Sequence, residues 1–144
     1  MYQPTLSIPF AGMLMLTMLV WLLMYVKRLG YIRKHNIDPQ SLADAHTLAS
    51  VLPESINRPA NNLRNLCELP VLFYAVVLFH MSIVNSDAVF AWCAWIFFIF
   101  RCIHSLVHCT FNRVTLRFAA YFISSIALWV MVLRTALFIA IVAQ

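Results

Sequence analysis

The sequence predicts an all-α integral membrane protein, a bundle of four transmembrane helices. Of its 144 residues, 63% are hydrophobic and only 10% are charged, whereas a soluble domain usually carries about 25% charged residues. The apolar residues fall into four long runs, at about 6–26, 60–84, 88–111 and 117–143. A helix of about 20 such residues spans the hydrocarbon core of a bilayer. The runs leave no room for a separate soluble domain, so we predict a single membrane domain over 1–144.

The first run is predicted to be a retained helix, because no basic region precedes it and no small-residue cleavage site follows it. The segment 35–58 after it is the only long polar connection. A connection in a helix bundle is usually shorter, so this one either covers part of the molecule or is a solvated linker. Within it, Asp38 and Pro39 indicate a turn, and residues 41–52 can form a short helix that Pro53 ends.

The second run begins with polar residues where a helix should already be entering lipid. Arg64, Asn65 and Glu68 lie there, and Arg64 and Glu68 are four residues apart, so that they can pair on one face of a helix. An ionisable residue inside a membrane segment indicates a functional site, although Arg64 can also simply snorkel to the headgroups. Pro70 cannot donate a hydrogen bond to the carbonyl of Leu66 and is expected to kink this helix.

The third and fourth runs each carry a polar stripe at helical spacing. On the third it comprises Arg101, His104, Ser105, His108 and Asn112, and on the fourth Arg117, Tyr121 and Ser124. No acidic residue or cysteine accompanies the two histidines at a metal-site spacing, so no metal is predicted. The four cysteines lack CxxC spacing and are expected to be free thiols in the helical core.

The basic residues indicate the orientation in the membrane. They cluster beside the first and third connections, whereas the predicted turn at 85–87 and both termini carry none. The positive-inside rule then places both termini on the non-cytoplasmic side and the polar stripes in the cytoplasmic half. The net charge of +5 fits this topology and anionic lipid better than nucleic acid. Arg134, far along the fourth run, lies near the opposite face and is expected to snorkel.

These polar residues are expected to converge at one depth. Arg101 would be costly without a partner, and Glu68 is the only acidic residue within a run, so the two are predicted to form an ion pair. Several arginines beside one carboxylate suit a ligand with more negative than positive charge. A nearby cation also favours a thiolate over a thiol, so a thiol peptide would satisfy the site.

The chain resembles the MAPEG family, the membrane-associated proteins of eicosanoid and glutathione metabolism. Residues 64–73, RNLCELPVLF, resemble the signature of its second helix. Arg101, His104, Arg117 and Tyr121 resemble the third and fourth helices of its microsomal prostaglandin E synthase and glutathione transferase branch. The sequence departs from that pattern at Asn61, His108 and Phe118, where arginine, tyrosine and a small polar residue are common.

The resemblance implies a four-helix subunit, a homotrimer and glutathione as co-substrate, bound between subunits near the cytoplasmic face. It implies that Arg117 stabilises the glutathione thiolate and that Arg101 braces Glu68. A basic residue at the end of the first helix, Arg28 or Arg33, would join the site. The implied glutathione contacts are Arg64, Asn65, Glu68, His104, Arg117 and Tyr121.

Three functions remain open from the sequence. The first is a membrane-bound glutathione transferase or peroxidase that acts on lipophilic electrophiles dissolved in the bilayer. The second is a non-catalytic lipid-binding or scaffold protein, like the lipoxygenase-activating member of the family. The third is a small ion or proton carrier that uses the polar residues of the third helix.

Overall fold

The computed structural model describes residues 4–83 and 87–143, and the described chain is helical. Four segments of it are long and apolar enough to cross a membrane, at Thr5–Lys34, Glu54–Ser82, Ala88–Cys109 and Val114–Val142. The predicted all-α fold with four membrane-spanning helices is therefore confirmed, and the chain is an integral, multi-pass membrane protein.

The first helix, α1, spans Pro4–Lys34 and is longer than the predicted 6–26. Lys27 and Arg28 end the apolar stretch, but neither residue breaks a helix, so α1 continues beyond the apolar run. It ends at Lys34, and Asn36, two residues further on, has a left-handed φ of 50°. The N–H of Ile37 then donates to the carbonyl of Ile32 at 3.1 Å, a common way to close the last turn of a helix.

The long polar connection folds into two short pieces rather than the one helix predicted over 41–52. A 3₁₀ turn covers Pro39–Leu42, and helix α2 covers Ala45–Val51. The two pieces are separate because α2 has its own N-cap at Asp44. The carboxylate of Asp44 accepts hydrogen bonds from the backbone N–H groups of His46 and Thr47, each at 3.0 Å. Pro53 ends α2 as predicted, since the residue before a proline is forced into an extended conformation.

The second membrane-spanning segment is interrupted. Helix α3 spans Glu54–Leu66, and helix α4 spans Leu69–Ile83, so the segment begins earlier than the predicted residue 60. The kink predicted from Pro70 is confirmed, and it takes the form of a complete break at Cys67 and Glu68. Pro70 lies in the first turn of α4, where its missing N–H costs no helical hydrogen bond.

Helix α5 spans Ala88–Cys109 and helix α6 spans Val114–Val142; the two pack on each other along their lengths. The predicted turn at 85–87 lies outside the described residues except for Asp87, which caps α5 by accepting a hydrogen bond from the N–H of Phe90 at 2.8 Å. Asp87 also forms an ion pair with Arg134 of α6. Arg134 is thus held by a neighbouring helix rather than by snorkelling alone.

The core of the bundle is apolar and aromatic. The rings of Phe73 on α4 and Phe97 on α5 stack with their centroids 4.5 Å apart, and Met13 of α1 and Leu128 of α6 are fully buried in the same cluster. In the C-terminal half of α5, one turn or more after Phe97, the buried residues are largely polar. The helices α3, α5 and α6 come together at this level of the bundle.

Candidate functional site

A pocket of about 490 Å³ opens between α3, the C-terminal half of α5 and the start of α6. It brings together all six residues that the resemblance implies as ligand contacts. The residues that line it are Asn61, Arg64, Asn65, Glu68, His104, His108, Val114, Arg117, Phe118 and Tyr121.

The break in the second membrane segment sets the positions of the α3 side chains. Glu68 lies beyond the end of α3, whose last turn closes when the N–H of Cys67 donates to the carbonyl of Leu63 at 3.1 Å. The helical register that would align Glu68 with Arg64 is therefore lost, and the two form no ion pair within the described chain. Both side chains are exposed to the pocket, where a ligand can reach them.

A chain of hydrogen bonds holds Arg117 at the pocket. Its Nη1 donates to Oδ1 of Asn112 at 2.7 Å, and Nδ2 of Asn112 donates to Oε1 of Glu54 at 3.0 Å. The same oxygen of Glu54 is paired with Nε of Arg58 at 3.3 Å. Because Asn112 has a φ of 50°, a conformation that asparagine tolerates better than most residues, the turn between α5 and α6 can direct its amide toward Arg117.

The two histidines of α5 form a buried wall of the pocket. Nδ1 of His104 lies 3.0 Å from the carbonyl oxygen of Arg117, which can only accept, so Nδ1 carries the proton. Among the described residues, Nε2 of His104 is buried without a hydrogen-bond partner. His108 packs edge-on against His104 with ring centroids 5.5 Å apart, and its Nδ1 also lacks a partner. These nitrogens add unsatisfied polar groups to the pocket wall.

The sequence reasoning did not assign His108, Asn61, Val114 or Phe118 to the site. For His108 a signal was present, because it shares the polar stripe of α5 with His104 one turn away. Asn61 has a similar signal, since it lies three residues before Arg64. Phe118 was noted only as a departure from the family pattern, and Val114 carried no signal, because an apolar residue in an apolar run does not stand out.

Arg101 does not form the ion pair predicted with Glu68. Its side chain is fully buried. None of its three guanidinium nitrogens meets hydrogen-bond geometry with a described residue, but the hydroxyl of Tyr121 and the carboxylate of Glu68 both attract it at longer range. The guanidinium carbon instead lies 4.6 Å from the ring centroid of Tyr121 and 5.1 Å from that of Phe97, within the range of cation–π attraction. Glu68 lines the pocket and Arg101 does not. The guanidinium of Arg101 therefore lies against the ring of Tyr121 and interacts with Glu68 only at longer range.

A metal centre is not formed by the residues that the structure describes, among which no three His, Cys, Asp or Glu side chains group together. Arg64 and Arg117 can hold anions, Glu68 can hold an ammonium group, and Asn61 and Asn65 can donate or accept hydrogen bonds.

Comparison with known proteins identifies the family of the chain. The model of the MAPEG family matches residues 6–137, which is most of the chain. A search of curated proteins found no match. Members of the family include glutathione transferases and related enzymes, and they use glutathione. With four membrane-spanning helices and a polar pocket formed by the second, third and fourth of them, the chain belongs to the MAPEG family.

Proposed function

We propose that the protein is a membrane-bound glutathione transferase that conjugates glutathione to lipophilic electrophiles, with a related peroxidase activity on lipid hydroperoxides. The observation that carries this proposal is the single pocket in which two arginines, one carboxylate and two amides meet two buried histidines. A water-soluble ligand that carries one positive group and more negative than positive charge matches this set of side chains, and glutathione is such a ligand.

Each lining residue has a group on glutathione that it can hold. Glu68 pairs with the ammonium group, and Arg64 holds a carboxylate through its planar guanidinium fork. Asn65 and Tyr121 supply hydrogen bonds to the peptide. His104 supplies an acceptor at Nε2, because its proton is fixed on Nδ1 by the carbonyl of Arg117.

Arg117 is proposed to stabilise the thiolate. A guanidinium beside a sulfur atom lowers the thiol pKa by charge attraction and so increases the fraction of nucleophile at neutral pH. The bond to Asn112 uses Nη1 and leaves the other nitrogens for the ligand. Phe118 is 64% exposed in the described chain and lines the pocket together with Arg117, where a lipophilic electrophile can approach from the bilayer.

Substitution of Arg117 tests this proposal. We expect Arg117→Ala to lower the rate of conjugation about 10²–10³-fold, as for the loss of one group that stabilises a developing anion. Glutathione binding should weaken much less, because the other residues still hold the peptide. Arg117→Lys should restore only part of the rate, since a point charge does not reproduce the guanidinium fork.

The measurement is glutathione-dependent conjugation of a chromogenic electrophile, together with thiolate absorbance near neutral pH. Equal thiolate absorbance in wild type and Arg117→Ala would remove Arg117 from the mechanism. Glutathione binding without turnover in the wild type would instead indicate the non-catalytic binding function.

We further propose that the subunit works as a homotrimer with the pocket near the cytoplasmic face and both termini on the other side. Family membership supports an oligomer, and the exposed polar side chains of Arg64 and Glu68 on a membrane-spanning segment are better covered by protein than by lipid. Mass measurement in mild detergent should give three subunits. A stable monomer that binds glutathione with full affinity would contradict this.

A further inference from the structure

A second pocket, of about 440 Å³, lies at the end of the bundle opposite to the first. It opens between α1 and α5, two helices that both begin at this end. The residues that line it are Thr5, Ala88, Ala91, Trp92, Trp95 and Ile99. None of them lines the first pocket, so the second pocket is a separate site.

The second pocket extends along the depth of one leaflet of the bilayer. Thr5 and Ala88 are the first residues of their membrane-spanning segments, so the mouth of the pocket lies at the membrane surface. Ile99 follows Ala88 by eleven residues, which is about 16 Å along a helix and about half the thickness of the hydrocarbon core. Near that depth, the ring of Phe98 occupies the space that a side chain at Gly12 would need, so α1 and α5 are in close contact there. A ligand in the shape of one chain can therefore lie between the surface and the middle of the bilayer.

The wall of the second pocket is apolar and aromatic, and it is open to lipid. Trp92 and Trp95 lie one turn apart on α5 and supply two indole rings. The side chain of Trp92 is 70% exposed, and that of Ile99 is also exposed on this membrane-spanning helix. The molecules that reach the pocket are therefore lipids, whose chains match its wall.

Charge favours an uncharged lipid. No charged residue lines the second pocket. Asp87 lies next to the mouth, just before Ala88, and its carboxylate caps α5 and pairs with Arg134. The charge of Arg134 is thus already matched, and the described residues at the mouth offer no free cation. A phosphate or carboxylate head group would lose hydration there without gaining an ion pair.

Thr5 provides polar groups that suit a hydroxyl at the mouth. Its own hydroxyl can donate or accept a hydrogen bond. Its backbone carbonyl lacks the usual helical donor, because that donor would be the N–H of residue 9, which is a proline within α1. A carbonyl without a partner is costly next to lipid, and a hydroxyl group on the ligand can supply the missing hydrogen bond.

We infer that the second pocket binds an uncharged, single-chain lipid whose head group carries a hydroxyl. The chain lies along Trp92 and Trp95, and the hydroxyl lies at Thr5. This site goes beyond the proposed transferase function and does not depend on it, because the two pockets lie at opposite ends of the bundle and share no lining residue.

The experiment measures quenching of tryptophan fluorescence by brominated lipids added to the protein in mild detergent. The parent protein carries Trp21→Phe and Trp129→Phe, two substitutions at exposed positions, so that only Trp92 and Trp95 of the four tryptophans report. The probes share one brominated chain and are a monoacylglycerol, the methyl ester and the free carboxylate. We expect saturable quenching by the monoacylglycerol and at least about fivefold weaker binding of the other two, because neither can donate a hydrogen bond.

Two pairs of variants test the position of the ligand. Ala88→Leu fills the mouth and should lose the saturable quenching, whereas Ala136→Leu, at an exposed position of α6 that lines neither pocket, should match the parent. Thr5→Val removes the hydroxyl and should bind the monoacylglycerol about fivefold more weakly, whereas Thr5→Ser should match the parent. Because Thr5 and Ala88 are exposed, the unfolding temperatures should stay unchanged.

Equal binding of the three lipids would show that any chain fills the pocket and would overturn the inference. Saturable quenching that persists in Ala88→Leu, or equal binding by Thr5→Val and Thr5→Ser, would overturn it as well. Absence of quenching by all three lipids would also overturn it, and a mass of several subunits would then indicate that a second copy of the chain covers this face. No step of the test uses glutathione, so its failure and the failure of the transferase function are distinguishable.

Discussion

Removal of the Asn112 side chain should weaken catalysis without removing any residue that contacts glutathione. In the structure, the amide of Asn112 accepts from Nη1 of Arg117 at 2.7 Å and donates to Glu54 at 3.0 Å. A hydrogen bond to a charged group contributes about 1.5–3 kcal/mol. Since this one is only partly buried and water can replace it, the low end applies, which corresponds to about tenfold in rate.

The substitution of choice is Asn112→Gly. Asn112 has a φ of 50°, which glycine adopts without strain, so this variant removes the amide and keeps the turn. Asn112→Ala removes the same amide but adds about 1–3 kcal/mol of backbone strain, and it should therefore unfold more easily as well. Asn36→Gly is the matched control, because Asn36 has the same φ of 50° just after the end of α1 and lies in neither pocket.

The assay is glutathione conjugation, with kcat and the KM for glutathione determined separately, and thiolate absorbance followed against pH. We expect Asn112→Gly to lower kcat about tenfold, to change the KM little and to raise the pKa of the bound thiol, because a mobile Arg117 stabilises the thiolate less well. Asn36→Gly should match wild type. A wild-type kcat and thiol pKa in Asn112→Gly, with Arg117→Ala inactive, would refute the idea that this network positions Arg117.

Two further predictions concern stability, measured as the free energy of unfolding in detergent. A Cβ added to Gly12 would lie 2.5 Å and 2.6 Å from atoms of the Phe98 ring, so Gly12→Ala should destabilise the bundle by about 1–3 kcal/mol. In Gly30→Ala the added Cβ has no described atom within 4 Å, so this variant should be more stable than wild type by up to about 1 kcal/mol. Equal stability of the two variants would show that the Phe98 ring moves aside at no cost. Glu68→Gln should change stability by no more than about 0.5 kcal/mol while it weakens glutathione binding, because Glu68 has no ion-pair partner in the described chain. A loss of about 3–5 kcal/mol would instead indicate a direct buried pair with Arg101.

The sequence alone determined the class of the protein and part of the lining of its first pocket. Four apolar runs require helices in a bilayer, because a buried backbone in lipid must satisfy its own hydrogen bonds. Helical spacing then predicted the polar stripes, and the resemblance selected six of the ten residues that line the first pocket. The break near Pro70 also followed from local chemistry, since proline lacks the N–H that a continuous helix needs.

The tertiary structure decided the partners of the charged groups. A rule based on charge alone pairs Arg101 with Glu68, but in the folded chain Glu68 lines the pocket and the guanidinium of Arg101 lies against the ring of Tyr121. The role of Asn112 has the same origin. Its contact with Glu54 joins residues far apart in the sequence, and such contacts depend on how the helices pack, which no local pattern in the sequence specifies.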